Sequence, residues 1–283
     1  MAQAIKEEYL LVDVGANLTN KKFLRDLDTL IHRAQNAGVR KIIITATNLQ
    51  NSKEALRLTR IYPGSLYATV GVHPHEAKTW EASSLQELRE LASNREVVAI
   101  GECGLDFNKN FSPQDDQKIA FQAQVDLACE LEKPLVIHER DANPEVTKVL
   151  SNAKNLPAVL VHSEAKHIDS YVAMSCMIGI NGAICKDESL QQKVRSIPLD
   201  RILLTSDSPF MFPRPSKLPA SIKELTTKRS QDFVERYCSF QRNEPCSLPF
   251  IAEVVGGCRG EGADQVALQT TYNAFKLFGL NSD

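Results

Sequence analysis

An α/β fold closed into a (β/α)8 barrel is what this sequence predicts, and three observations predict it. Eight apolar runs of strand length recur along the 283 residues, stretches of helical period lie between them, and several runs end on a residue able to bind a metal or a proton. Strict alternation of strand and helix makes the strands parallel, with right-handed crossovers. Eight such units close a barrel whose chemistry sits at the carboxyl ends of the strands. A doubly wound open sheet is the alternative, but no G-x-G-x-x-G follows the first strand.

The strands are expected at about 9–14, 40–46, 66–72, 97–101, 134–138, 157–162, 176–181 and 201–206, with ends uncertain by roughly 2–4 residues. Helical spacing is clearest after Pro113, where Ile119, Phe121, Val125, Leu127, Ala128 and Leu131 share a face. A last helix at about 262–278, with Val266, Leu268, Thr271, Phe275 and Leu277, is expected to close the barrel. The stretch 211–247 breaks the pattern. Pro213, Pro215 and Pro219 follow Pro209 and rule out a regular helix over 211–219. This connection after the eighth strand also carries Arg214, Lys217, Lys223, Lys228, Arg229, Arg236 and Arg242 against Glu224, Asp232 and Glu235. A solvated face is the default for such a run, while its position above the barrel mouth favours contact with phosphate. No repeat or linker interrupts the chain, so 1–283 is expected to form one domain with an irregular insertion at about 211–247.

A formal net charge of −2 and a pI near 6.3 give no global attraction to polyanions, so any nucleic-acid contact must rest on a local patch. The seven cysteines are odd in number and form no C-x-x-C pair, which argues for reduced thiols in the cytosol or nucleus and against a structural zinc cluster. Lys6, Glu7 and Glu8 precede the first apolar run, so no signal peptide is evident, and no run is long enough to cross a membrane.

The ends of four runs carry the chemistry. The fourth delivers Glu102 between Gly101 and Gly104, residues that let the backbone turn sharply and approach a ligand. The fifth ends on His138, followed by Glu139-Arg140-Asp141; the sixth ends on His162; the eighth ends on Asp207 before Ser208-Pro209. One strand-end histidine is more often a rim residue than a ligand. Two histidines, a glutamate and an aspartate on four separate strands are hard to assign to packing, and imidazole with carboxylate suits zinc, manganese or magnesium. After the third strand, His73-Pro74-His75 offers phosphate binding, leaving-group protonation or a polar rim, and Pro74 leaves the ring directions open. Arg140 could neutralise a phosphate or pair with Asp141. His32 and His167 have no motif around them and are read as surface or helix residues.

Val70-Gly71-Val72-His73-Pro74-His75, A-I-G-E-C-G-L-D-F, P-L-V-I-H-E-R-D-A, V-H-S, T-S-D-S-P and Arg242-Asn243-Glu244-Pro245 occur in this order. Together they resemble the successive signatures of the TatD family of metal-dependent deoxyribonucleases, over nearly the whole chain. The opening Val12 to Thr19 looks closer to the family's eukaryotic branch. The resemblance implies a TIM-like barrel of the metal-dependent hydrolase type that cuts phosphodiester bonds in DNA, typically as an exonuclease, in DNA repair or degradation. By the same resemblance Glu102 bridges two metals, His138 and His162 hold one and Asp207 the other, although Asp207 could instead be the general base. His75 joins Glu102 and Asp207 as a catalytic candidate, and His73, Arg140, Arg214 and Lys217 are candidates for substrate phosphate. The implied cofactors are up to two divalent ions, magnesium favoured and manganese or zinc possible. The implied partner is DNA, with neither a membrane nor an obligate protein partner.

Three departures stand out. Bacterial members carry D-x-H-x-H at the first strand, where this chain has Asp13, Gly15 and Asn17. Thr205-Ser206-Asp207 stands where the family usually has Glu-Thr-Asp, and His162-Ser163-Glu164-Ala165-Lys166 lacks the usual Phe and Gly. The expected consequence is a weak, partly water-ligated metal on the Asp207 side. Two other functions share the barrel and ligands: hydrolysis of a small ester or phosphoester, and a non-catalytic barrel that binds nucleic acid.

Overall fold

The computed structural model describes residues 9–280; Lys6, Glu7 and Glu8 lie outside them. Eight parallel strands form one sheet in sequential order: β1 (Leu11–Ala16), β2 (Val39–Ile44), β3 (Leu66–Val70), β4 (Val97–Asp106), β5 (Leu135–Arg140), β6 (Val159–His162), β7 (Met177–Ile180) and β8 (Ile202–Leu204). The sheet returns on itself where Ala16 bridges Ser208, Asn17 N donates to Ser208 O (2.8 Å) and Asp207 N donates to Gly15 O (2.8 Å). The fold is therefore a nearly closed TIM barrel, as the alternation of runs predicts.

Strand parity decides what faces the interior. Val12, Val14, Ile43, Val98, Val136, Leu160, Met177 and Leu203 form one cluster, joined by Phe278 of the last helix, Ala263–Phe278. Their neighbours Leu11, Ile42, Ile44, Val97, Leu135, Ile137, Val161, Ile178 and Ile202 belong to the other cluster, beneath the helices. A strand alternates faces every residue, so the two clusters are the inside and outside of the barrel. Each such fully buried aliphatic side chain is worth about 1.5–3 kcal/mol of transfer free energy. Continuing the interior row by two residues leads from Val136 to His138 and from Leu160 to His162, which brings both imidazoles to the mouth.

Two expectations are corrected. The fourth strand does not stop at Gly101 but runs on to Asp106, with its register against β5 slipping between Ile100 and Cys103. One extra residue there makes a bulge, so Glu102 projects from a bulge within the strand and not from its tip. Gly101 (φ 139°) and Gly104 (φ 131°) are required, since a Cβ would meet Val136 O at 2.4 Å and His138 O at 2.0 Å. The second correction concerns 211–247. It lacks α-helix over 211–219, as the prolines dictate, but then forms the helices Ala220–Lys223 and Lys228–Tyr237. The latter starts where the Thr227 side chain accepts from Ser230 N.

Among the described residues no helix is long and apolar enough to cross a membrane. The seven cysteines are free. The sequence shows no C-x-x-C, yet the fold brings Cys238 Sγ and Cys246 Sγ within 3.9 Å.

Candidate active site

Strand pairing places His138 directly opposite His162, and Gly104 opposite His138. Around this register four groups converge. His138 Nδ1 lies 3.9 Å from Glu102 Oε1, and His73 Nε2 lies 4.0 Å from Glu102 Oε2. Ligand atoms of His73, Glu102 and His138 all fall within 4.8 Å of one another, a spacing that could hold a metal ion. Asp207 closes the group from β8: burial pushes Glu102 up to about 8, and the charge of Asp207 adds to the shift. Burial likewise pushes Asp207 up to about 7, with Asp13 adding and Arg140 and Asn181 opposing. Asn181 Nδ2 donates to Asp207 Oδ2 at 3.3 Å.

Asp106 organises the histidines. Fully buried at the end of β4, its Oδ2 accepts from His75 Nε2 (2.7 Å) and His138 Nε2 (3.0 Å), and Arg140 stands 3.6 Å away. Its Oδ1 accepts the amides of Asn108 (3.1 Å) and Lys109 (2.7 Å). Burial alone would raise its pKa, but the hydrogen bonds from His138, the Lys109 amide and His75 hold it below the usual carboxylate range. With Nε2–H given to Asp106, His138 turns its other nitrogen toward Glu102, the carboxylate–histidine–metal arrangement. His75, Asp106 and His138 also form a second metal-compatible group, but there both imidazoles already bond Asp106 Oδ2.

The tautomer of His73 follows from its surroundings. Its Nδ1 accepts the His75 amide at 3.1 Å, so the neutral ring carries its proton on Nε2 and is a donor toward Glu102. Burial holds it neutral, well below the ordinary histidine value, with His138 and His75 adding. His162 is pressed against β7: a Cβ on Gly179 would come within 2.4 Å of its Nδ1 and Cε1. Burial, then the neighbouring His138, lowers its pKa to about 4.

Several sequence expectations are thereby sorted. Glu102, His138, His162 and Asp207 lie at one mouth, with His73 and His75 beside them. Arg140 faces Asp106, whereas Asp141 pairs with Lys166 at 2.9 Å and accepts from Asn108, so the Arg140–Asp141 pairing is overturned. Of the basic run, Lys228 pairs with Asp232 (2.8 Å) on its own helix, Arg229 donates to Asn36 O (2.6 Å), and Arg242 binds Asp26 and Glu244. Arg214 stacks on Phe240 at 4.6 Å and Lys217 is exposed. No contact among the described residues joins Arg214 or Lys217 to Glu102, His138, His162 or Asp207. The segment Arg242 to Pro245 buttresses the Asp207 loop: Asn243 donates to Ser206 O (2.8 Å) and to Pro209 O (3.0 Å).

Sequence reasoning missed Asp106, Gly179 and the role of Asp13. Asp106 follows Glu102 by four residues along one strand, a two-residue period that signals a shared face. Asp13 accepts from Gly15 N and Ser206 N through Oδ1, while its buried Oδ2 has no partner. Burial pushes it up to about 7 against those hydrogen bonds.

Two departures in the sequence prove to be one place in space. Thr205 Oγ1 donates to Gly15 O (2.7 Å), and a Cβ on Gly15 would meet that oxygen at 2.6 Å. The hydroxyl fills the room a side chain at 15 would need. Asn17 spends its amide oxygen on Thr19 Oγ1 (2.8 Å).

The residues present fit a divalent cation. Three mostly buried carboxylates with raised pKa, one bearing an unpartnered oxygen, lie beside an imidazole nitrogen held toward them. Such a cluster costs free energy as anions unless a cation joins it.

Comparison with known proteins agrees. The family model described as TatD related DNase matches residues 12–279. A protein of Erwinia billingiae named 3'-5' ssDNA/RNA exonuclease TatD is 39% identical over 277 residues, 95% of this chain and 99% of its own. Among solved structures, a TatD homolog from Escherichia coli K12 superposes with a TM-score of 0.82 at 26% identity, covering 96% of this chain and 98% of its own. A hydrolase TatD family protein from Entamoeba histolytica shares the fold at a TM-score of 0.84 and 24% identity, covering 96% and 99%.

Proposed function

The chain belongs to the family of TatD-related DNases and is a nuclease that hydrolyses phosphodiester bonds; from that premise we propose how its own residues divide the work. The assignment is to the family as a whole, not to its eukaryotic branch. Glu102, His138 through Nδ1, His162 and Asp207 are the proposed metal-holding residues. A divalent ion there would supply electrophilic polarisation of the phosphate and acidify a water. Magnesium or manganese is the proposed ion, because Gly15 offers no ligand and the Asn17 oxygen is engaged by Thr19.

His73, kept neutral with its proton on Nε2, donates to a phosphate oxygen. Arg140, beside Asp106, adds positive charge to the same side of the mouth. Asp207, a carboxylate at the mouth with Asn181 Nδ2 donating to its Oδ2 at 3.3 Å, is also the proposed acceptor of the proton from the attacking water. His75, more exposed than His73 or His138 with 27% of its side chain open, is the proposed donor to the leaving oxygen. The seven free thiols suit a reducing compartment, cytosol or nucleus, and the proposed role is removal of strand ends in DNA repair or degradation.

The observation that carries this reading is the pair Glu102 and Asp207, two mostly buried carboxylates both pushed up by burial, with the charge of Asp207 adding at Glu102, beside His138. The test is cleavage of end-labelled single- and double-stranded oligonucleotides with magnesium, manganese or chelator, by the protein and by Glu102→Gln. Metal-dependent release of terminal nucleotides that falls by roughly a thousandfold in the variant supports it. Cleavage that survives chelation, or a variant as active as its parent, removes it.

A further inference from the structure

Three phenylalanines are exposed among the described residues: Phe111 (60%) and Phe210 (52%) in the loops that follow β4 and β8, and Phe240 (71%) in the turn after the helix Lys228–Tyr237, within the same long connection after β8. Exposed rings scattered over a surface mean little, but their gathering at the mouth of the site is informative. We propose that Phe111, Phe210 and Phe240 are stacking faces for the unpaired bases of the nucleic-acid strand whose phosphate enters the site. The proposal rests on the nuclease reading and adds the residues that grip the bases.

Phe111 stands on one side. Its ring meets His75 edge-on at 4.9 Å between centroids, and its loop is pinned where Ser112 Oγ donates to His75 O (2.9 Å) and Gln117 Nε2 donates to Ser112 O (2.9 Å). Phe210 stands on the other side, three residues after Asp207, in a turn closed by Phe210 N donating to Asp207 O (2.8 Å). Both rings are thus tied by short hydrogen-bonded turns to residues of the reacting end.

Phe210 and Phe240 belong to one patch. Lys22 Nζ lies 5.8 Å from the centre of the Phe210 ring and donates to Gln241 O, the neighbour of Phe240, while Arg214 lies over Phe240 at 4.6 Å. An aromatic face with a cation beside it is what a nucleotide needs: the ring stacks the base and the cation meets the phosphate. The chain as a whole carries a formal net charge of −2, so this pairing of ring and cation supplies locally the attraction that net charge does not. Paired bases keep their faces stacked within the duplex, so these rings select strand ends whose bases are free.

The test is equilibrium binding, by fluorescence anisotropy in chelator at one fixed salt concentration. One probe is a labelled ten-nucleotide mixed-sequence strand, and the other is a strand of equal length built of abasic tetrahydrofuran units. Phe210→Ala and Phe111→Ala should each weaken binding of the base-bearing strand by about tenfold and leave the abasic strand unchanged. Phe210→Trp should bind as well as the parent, whereas Phe210→Leu, apolar but without a π face, should bind like Ala. Equal loss on both strands, or parental affinity in the Leu variant, would overturn the proposal. The rings are exposed, so a melting curve matching the parent confirms that each variant is folded. Cleavage with magnesium is scored separately: stacking without cleavage defeats the nuclease reading alone, and cleavage without any preference for bases defeats this inference alone.

Discussion

Asp106 holds His138 by its far nitrogen: Oδ2 lies 3.0 Å from Nε2, and this leaves Nδ1 facing Glu102 Oε1 at 3.9 Å. One buried carboxylate therefore decides which imidazole nitrogen is available, and through its bond to His75 it orders both rings at once.

Asp106→Asn tests that role. The amide keeps the shape but loses the charge, and its NH2 must face either the two imidazole N–H groups or the Asn108 and Lys109 amides, pairs that Oδ2 and Oδ1 now accept. Metal affinity and turnover are each expected to fall about 10- to 100-fold, with the fold retained at a lowered melting temperature. Calorimetric titration with manganese beside initial rates checks both. Unchanged affinity would reduce Asp106 to a packing residue.

The barrel was legible because its strands are short apolar runs separated by helical spacing, and that pattern is local. The mouth residues were legible where a titratable group ended a run, as His138 and His162 do. Asp106 was hidden because the bulge and the glycines at 101 and 104 interrupt the apolar run, so the apolar pattern ends the strand at Gly101 and the period from Glu102 to Asp106 does not read as strand. Gly179 was hidden for another reason: its value lies in what it leaves room for on the next strand, which only the register reveals. The contact between Gly15 and Thr205 joins residues 190 positions apart, beyond any spacing rule.

Gly179→Ala should displace His162. The new methyl would sit 2.4 Å from two ring atoms on a neighbouring strand, so the ring must leave its present rotamer. The expected result is at least a tenfold fall in metal-dependent rate and about 1–3 kcal/mol of destabilisation. Rates at saturating manganese, with chemical denaturation, measure the two. A variant with parental rate would show that His162 does not act from this position.

Gly15→Ala and Thr205→Ala should be coupled. The first alone brings a Cβ to 2.6 Å from Thr205 Oγ1 and should cost about 1–3 kcal/mol; the second removes the obstructing oxygen. In the double variant the cost of Gly15→Ala should shrink by about 1 kcal/mol, read from a denaturation cycle. The same contact means that Gly15→His cannot add a metal ligand while Thr205 is present. Additive single effects would refute the steric account.

Removal of divalent metal should expose a pH dependence whose sign the mouth dictates. Asp13 and Asp207 are pushed up to about 7 and Glu102 to about 8, from ordinary values of 3.8, 3.8 and 4.5. Between the ordinary and raised values the folded chain binds more protons than the unfolded one, so stability falls as pH rises. His73, His138 and His162 are shifted down from 6.5, and their cost falls below that pH, where the unfolded chain takes up protons that the folded one refuses. From pH 6.5 to 8.5, then, the carboxylates of this cluster dominate, and the metal-free protein should lose on the order of 1–3 kcal/mol, a few degrees in melting temperature. Manganese or magnesium should restore more stability at pH 8.5 than at 6.5, because the ion binds the ionised carboxylates. Differential scanning fluorimetry in chelator and in metal reads the effect, with Glu102→Gln/Asp207→Asn as the variant whose slope should flatten. A melting temperature independent of pH in chelator, or a metal gain equal at both pH values, would show that these carboxylates do not share a cation.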